Sequence, residues 1–274
     1  MKFVGFITVT DVILLGGVIV FGGWLLKTSL GRKALADSMP RRNNMPFYLP
    51  FIPLFIWFGA VGVAAVIAEE LLDGLPEWQE TFLRNLIYCI GGLAVIALIV
   101  LLARVSFARR LKGFGLNAKT IVKDFFAGAA NLLAVWPLVI AMIILTTLLG
   151  KLIRGQDFEM QQHQELELIT AHPQLPLRIL IIVLAVVIAP VLEEMLFRGL
   201  FQSMLRSVAK NAWTAIILIS ALFALLHPWT HWPALFALSM CLGYAYEKSG
   251  SLLRPIFIHS FFNAITIIAV LYSV

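Results

Sequence analysis

The chain has 274 residues, 61% of them hydrophobic and only 13% charged, with a formal net charge of +6. A soluble domain carries roughly a quarter charged residues, so a water-soluble globular fold is excluded and the chain reads as an integral, multi-pass membrane protein. Its basic residues sit in short segments between apolar runs, the pattern of cytoplasmic loops rather than of a nucleic-acid surface, and no nucleic-acid partner is expected.

Val12 to Leu26 is the first apolar run, preceded by Asp11. It ends in Trp24-Leu25-Leu26-Lys27 rather than in a small-x-small cleavage pattern, so it reads as a short first span and not as a signal peptide. Lys27, Arg32, Lys33, Arg41 and Arg42 follow as a cytoplasmic signature. Met45 to Ala68 is uncharged and long enough to cross, with Pro46, Pro50 and Pro53 marking a helix start or a kink near the interface. An acidic loop comes next, with Glu69, Glu70, Asp73, Glu77 and Glu80. Asn85 to Ala103 is the third span, followed by the basic residues Arg104, Arg109, Arg110, Lys112, Lys119 and Lys123. Asn117 to Asp124 reads as a short amphipathic piece on the membrane surface.

Phe125 to Gly150 is the fourth span. The longest polar segment, Lys151 to Leu177, holds Asp157, Glu159, Glu165, Glu167, His163 and His172, and is placed outside as a soluble loop or cap. The fifth span begins near Arg178 and runs toward Arg206 and Lys210. Asn211 to Tyr246 is uncharged and too long for one span; His227-Pro228-Trp229-Thr230-His231-Trp232-Pro233 breaks it into a sixth and a seventh. Lys248 and Arg254 mark a cytoplasmic turn before the eighth span, Pro255 to Val274. The expected fold is all-α, a polytopic membrane bundle of about eight transmembrane helices with both termini extracytoplasmic. A composition shift near residue 170 divides it: residues 1–170 hold four charge-free spans and the polar loop, and residues 171–274 hold nearly all the polar oddities.

Three stretches stand out. Pro190-Val191-Leu192-Glu193-Glu194-Met195-Leu196-Phe197-Arg198 puts two acids and an arginine inside an apolar span, where each charge costs roughly 2.5–3.5 kcal/mol at a helix centre. Glu194 and Arg198 are four apart with the acid first, the favoured order for a helical pair. Glu193 is five from Arg198, about 140° round an α-helix, so Arg198 can neutralise Glu194 and leave Glu193 free as a base. The bland alternative is an ion-pair network gluing helices. Phe223-Ala224-Leu225-Leu226-His227 ends the sixth span; His227 alone reads as well as an interface residue. His231 lies four further on, an HxxxH spacing that keeps a zinc site open, although Pro228 and Pro233 argue against a regular helix and no HExxH occurs. His259 and Asn263, four apart, share a face of the last span, where packing glue between helices is the plain alternative. Cys89 and Cys241 lie within apolar segments, with no disulfide framework and no CxxC pair.

Taken jointly, EExxxR, FxxxH and HxxxN follow one another on three separate helices. Over about residues 175–270, including the stretch Gly243-Tyr244-Ala245-Tyr246-Glu247-Lys248-Ser249-Gly250-Ser251-Leu252, the chain resembles the CPBP family of intramembrane proteases. That family includes CAAX prenyl endopeptidases of the Rce type and proteins like lysostaphin resistance protein A. The resemblance implies a glutamic-type endopeptidase, once classed with the metalloproteases, acting without a cofactor on a membrane-associated peptide or protein. In that picture Glu193 activates a water, His227 orients it, His259 and Asn263 hold the oxyanion, and Glu194 and Arg198 support the site. It also implies membrane lipid as surroundings and a bacterial plasma membrane as location. The rival readings are a transporter-like protein whose charges line a path and a non-catalytic immunity or binding protein. The loop assignments raise a conflict: they put Glu193 mid-membrane, His227 near the outer face and His259 near the inner face, too far apart to meet on straight, full-length spans.

Overall fold

The computed structural model describes residues 8–72, 74–161, 164–209 and 211–273; Asp73, His163 and Lys210 lie outside the described residues. All eight expected spans are helices. They are α1 (Val9–Lys27), α2 (Phe51–Leu71), α3 (Glu77–Ser106), α5 (Ile121–Arg154), α7 (Leu175–Val208), α8 (Ala212–Leu225), α9 (Trp232–Ser249) and α10 (Leu253–Ser273). Two short helices join them, α4 (Arg110–Phe114) and α6 (Gln164–Ala171). Among the described residues, five helices are long and apolar enough to cross a membrane, and Phe51–Val63 and Ala212–Leu225 are shorter apolar helices. Among the described residues there is no strand, only an isolated bridge between Asn43 and Phe107.

Local chemistry sets the boundaries. Thr8 caps α1: its hydroxyl accepts from the Asp11 amide at 3.2 Å while the Asp11 carboxylate accepts from the Thr8 amide at 2.9 Å, a reciprocal capping box. The second span is shorter at its start than the sequence suggests. Residues 45–50 are not helical, and α2 begins at Phe51 with Pro53 in its first turn, where a missing amide hydrogen costs nothing. The third helix is longer: Glu77 and Glu80, expected in a loop, form its first turn, where acids suit the positive end of the helix dipole. The surface piece expected over Asn117 to Asp124 is not a separate element. Asn117 caps one 3₁₀ turn, Ala118–Thr120, which runs directly into α5; the short connecting helix is α4 instead. Asp124 is buried and pairs with Arg254 at 3.0 Å, tying the start of α5 to the start of α10. The polar segment is largely helical, with α5 extending to Arg154 and α6 occupying 164–171.

The long helix α7 is irregular for an identifiable reason. Pro190 has no amide hydrogen to give to the preceding turn, and the backbone N-terminal to it widens into a π segment over Leu184–Ile188. A second π segment spans Met195–Gln202. Such segments insert into α-helices mainly at functional sites. Within the second, Gly199 faces the ring of Phe114, which occupies the space that a side chain would need. One apolar core joins α3, α5, α7, α8, α9 and α10 through residues such as Ile99, Val139, Leu200, Phe223, Leu238 and Ile258. A second, smaller core fastens α6 to α7 and α10 through Leu166, Ile169, Leu177, Ile181 and Ile267. The basic connections around residues 38–43, 107–115 and 249–252 bond to one another or to neighbouring helix ends at one end of the bundle, and the 164–171 segment packs with the start of α3 at the other.

Candidate active site

The residues flagged in the sequence come together. Glu193, His227, His259 and Asn263 line one cavity of about 490 Å³, with Trp136, Phe223 and Phe262 among its apolar walls. The depth conflict disappears for three reasons of length. Helix α7 has 34 residues, about 51 Å at 1.5 Å per residue, and Glu193 is near its middle. Helix α8 has only 14 residues, about 21 Å, so His227, just past its end, stops short of the end of the bundle. His259 lies about 9 Å into α10, level with the Glu193–Glu194 turn.

Glu194 and Arg198 are fully buried, and Arg198 Nη1 donates to Glu194 Oε1 at 2.7 Å. The pairing read from the four-residue spacing is present, and Arg198 makes no bond to Glu193. The second guanidinium arm, Nη2, donates to Ser239 Oγ on α9 at 2.6 Å, and the guanidinium carbon lies 4.7 Å from the centre of the Phe223 ring. Charge-assisted bonds of this kind are about twice as strong as neutral ones, which is how the bundle tolerates a buried arginine.

His259 sits between the two acids. Its Nδ1 is 2.9 Å from Glu194 Oε1 and its Nε2 is 3.9 Å from Glu193 Oε2. Glu193 differs from its neighbour: its side chain is 29% exposed and lines the cavity, and no protein group donates to its carboxylate, whereas Glu194 Oε1 takes both Arg198 and His259. A single water about 2.8 Å from each group would bridge 3.9 Å at roughly a right angle. On the facing wall His227 Nδ1 donates to the Phe223 carbonyl at 2.8 Å. A carbonyl can only accept, so in the neutral ring Nε2 is the acceptor. Asn263 Nδ2 donates to the Ala185 carbonyl at 2.8 Å, within the first π segment. That bond uses one amide hydrogen and leaves the second.

His231 does not join His227 as an HxxxH pair on a helix. It lies in a 3₁₀ turn, Trp229–His231, and its Nε2 donates to the Gln161 carbonyl at 2.8 Å. Burial pushes the His231 ring below the usual histidine range, with the neighbouring His227 adding to the effect. Among the described residues no three His, Cys, Asp or Glu side chains are grouped so as to hold a metal ion.

Sequence reading missed what lies beneath the site. Glu194, Arg198, Gln202 and Arg206 recur every four residues on α7, and Ser239, Gly243 and Glu247 recur every four on α9. Gln202 Nε2 donates to the Gly243 carbonyl at 3.1 Å and to Glu247 Oε1 at 3.0 Å. Arg206 Nε is 3.6 Å from Glu247 Oε2, and Arg206 Nη2 donates to the Ser38 carbonyl at 3.1 Å. This ladder of buried polar groups carries the interface from the cavity floor to the basic end. The repeated four-residue spacing was the signal that could have found it.

The fold and the site together define a class: polytopic helical membrane proteins with a buried carboxylate–imidazole–guanidinium centre open to an internal cavity. Residues 175–265, the segment that builds the site, match the family described as type II CAAX prenyl endopeptidase Rce1-like. No curated protein and no solved structure gives a match to the chain.

Proposed function

We propose that the protein is an intramembrane endopeptidase that hydrolyses a peptide bond with a water activated by Glu193. The observation that carries this reading is the contrast between the two adjacent acids. Glu194 is consumed by Arg198 and His259, whereas the Glu193 carboxylate, to which no protein group donates, lines a cavity shared with two imidazoles and an amide. The family of the 175–265 segment, whose name is that of an endopeptidase, supports the reaction class.

In the proposed reaction Glu193 takes a proton from water as the oxygen attacks the scissile carbonyl, with His227 Nε2 orienting the same water. The free amide hydrogen of Asn263 and Nε2 of His259, when protonated, face the developing oxyanion. The proton held by Glu193 then passes to the departing amine. A positioned base contributes about 10²–10⁴-fold and an oxyanion donor about 10²–10³-fold. Glu194, Arg198 and Ser239 fix His259. The substrate is a membrane-associated peptide or protein, and the reading routes no step through a metal.

The test is Glu193→Gln in purified protein reconstituted in lipid. Hydrolysis of a membrane-anchored reporter peptide should fall by at least about 10²-fold, with the melting transition retained. Wild-type turnover in that variant removes Glu193 from the mechanism. Activity that survives strong chelation supports the metal-free route, and activity lost to chelation and restored by one added metal ion overturns it.

A further inference from the structure

Uncompensated positive charge gathers around one short turn, residues 107–116, that the proposed chemistry does not use. Arg104 lies on the last turn of α3, Arg109, Arg110 and Lys112 on the turn itself, and Lys119 and Lys123 where the chain enters α5. All are exposed, and among the described residues none of them makes an ion pair. Two other connections bond to this turn: the Ala108 amide donates to the Arg42 carbonyl at 3.1 Å, and the Leu252 amide to the Gly115 carbonyl at 2.9 Å. The acids nearby are Asp37, Asp124 and Glu247. Asp124 is held by Arg254 and Glu247 by Gln202 and Arg206, so Asp37 is the exposed one.

The turn has a fixed shape and two unlike faces. Arg110 takes a left-handed backbone, φ 50°, which side chains other than glycine's seldom adopt. Gly115 closes α4 at φ 106°, and a Cβ there would meet the Leu252 amide at 2.7 Å. The outer face carries Arg109, Arg110 and Lys112, beside Leu101 and Val105, which α3 exposes as lipid-facing surface. The inner face carries Phe114. Its ring fills the notch at Gly199, inside the second π segment and next to Arg198, and its carbonyl accepts from the Tyr246 hydroxyl at 2.9 Å. The positive-inside rule accounts for the sign of the charge. It does not account for cations and a buried contact to α7 sharing one rigid turn.

We propose that this turn binds the headgroup of an anionic phospholipid, and that the bound lipid steadies the Met195–Gln202 segment through Phe114. Basic clusters beside a membrane helix attract anionic headgroups, about fivefold for each Lys or Arg at the surface. Guanidinium groups take phosphate oxygens in bidentate pairs, and the acyl chains lie along Leu101 and Val105. Lipid binding here is independent of the proteolytic reading.

The test offers the purified chain, in zwitterionic micelles, phosphatidylglycerol and phosphatidylcholine at equal concentration, and counts the retained lipids by native mass spectrometry. The wild type should retain phosphatidylglycerol in at least about tenfold excess. Arg109→Gln/Arg110→Gln/Lys112→Gln should lower that excess at least about fivefold, with its melting transition in lipid-free micelles unchanged. Lys27→Gln/Arg32→Gln/Lys33→Gln removes as many cations from another connection and should keep the excess. Phosphatidylglycerol should also slow amide exchange over residues 195–202 at least about threefold in the wild type, and not in the first variant. A wild type that retains both lipids equally overturns the proposal without any variant. Equal losses in the two variants do the same, since the attraction is then a diffuse field. Soluble glycerol phosphate that slows exchange as well as the lipid does overturns the lipid as ligand. Retained phosphatidylglycerol with unchanged exchange overturns the coupling through Phe114. Peptide cleavage enters none of these measurements, so failure of the proteolytic reading leaves them as they stand.

Discussion

Arg198→Met is the sharpest probe of the site's energetics. Arg198 and Glu194 are both fully buried, and among the described residues their 2.7 Å bond is the only neutralisation Glu194 receives from a permanent cation. Removing the guanidinium leaves the carboxylate with His259 Nδ1 on Oε1 and nothing on Oε2. It also leaves the Ser239 hydroxyl without its donor. Breaking one partner of a buried pair costs about 3–5 kcal/mol, because a charge remains desolvated, whereas replacing both partners is close to neutral. Glu194→Gln should therefore be about as damaging as Arg198→Met, and the double variant less destabilised than either. The coupling in the cycle should be at least about 2 kcal/mol, within the range found for directly bonded neighbours. The assay is chemical unfolding in mixed micelles followed by tryptophan fluorescence. Additive losses, or an Arg198→Met cost under about 1 kcal/mol, would mean that the pair is solvated in the folded protein and that the site is wetter than its geometry states.

Three further outcomes follow from packing. Gly199→Ala pushes a methyl into the Phe114 ring and should destabilise by about 1–3 kcal/mol, read in the same unfolding assay. Asp124→Asn removes the anion from a pair in which Arg254 keeps some solvent access. It should cost about 1–2 kcal/mol, less than a fully buried pair, and a cost above that of Arg198→Met would refute the ranking. Trp229→Ala deletes both the Arg154 cation–π contact and the Phe158 ring contact. Cleavage at Glu159 by a Glu-specific protease should become several-fold faster without change in global stability, and an unchanged rate would show that these two contacts do not hold the 155–161 segment.

Much of this molecule is legible from hydropathy and spacing. The eight helices follow from apolar run length, and the Glu194–Arg198 pair follows from a four-residue step with the acid first. What the sequence reading did not draw out is what its own span lengths mean for depth. The bounds near Arg178 and Arg206 fit an α7 of 34 residues. Those of Asn211 and His227 fit a short α8, which has 14. Those two lengths are what bring His227 down to the level of Glu193. Asn117 to Asp124 misled for a related reason. Lys119, Lys123 and Asp124 among apolar residues look amphipathic, but Asp124 is turned inward to Arg254, 130 residues away, and such a partner leaves no local pattern. Ser239 and Gln202 were passed over because uncharged polar residues in an apolar span raise no alarm singly.

The π segments connect these observations. In an α-helix a step of four residues overshoots one turn by about 40°, so Glu194, Arg198, Gln202 and Arg206 would wind through about 120° and could not all face α9. In a widened i→i+5 turn, with about 4.4 residues per turn, the same step falls short by about 33°. The stretch Met195–Gln202 is wide and Ser203–Val208 is regular, so the two drifts partly cancel and the four side chains stay on one face. Straightness of that stripe is what lets two arginines remain bonded inside an apolar bundle. With the stripe fixed, Arg198 can hold only the acid in line with it, Glu194. Glu193, one residue earlier and turned to the cavity, is left without a cation. The helical irregularity, the polar ladder and the unpartnered carboxylate are thus consequences of one backbone geometry.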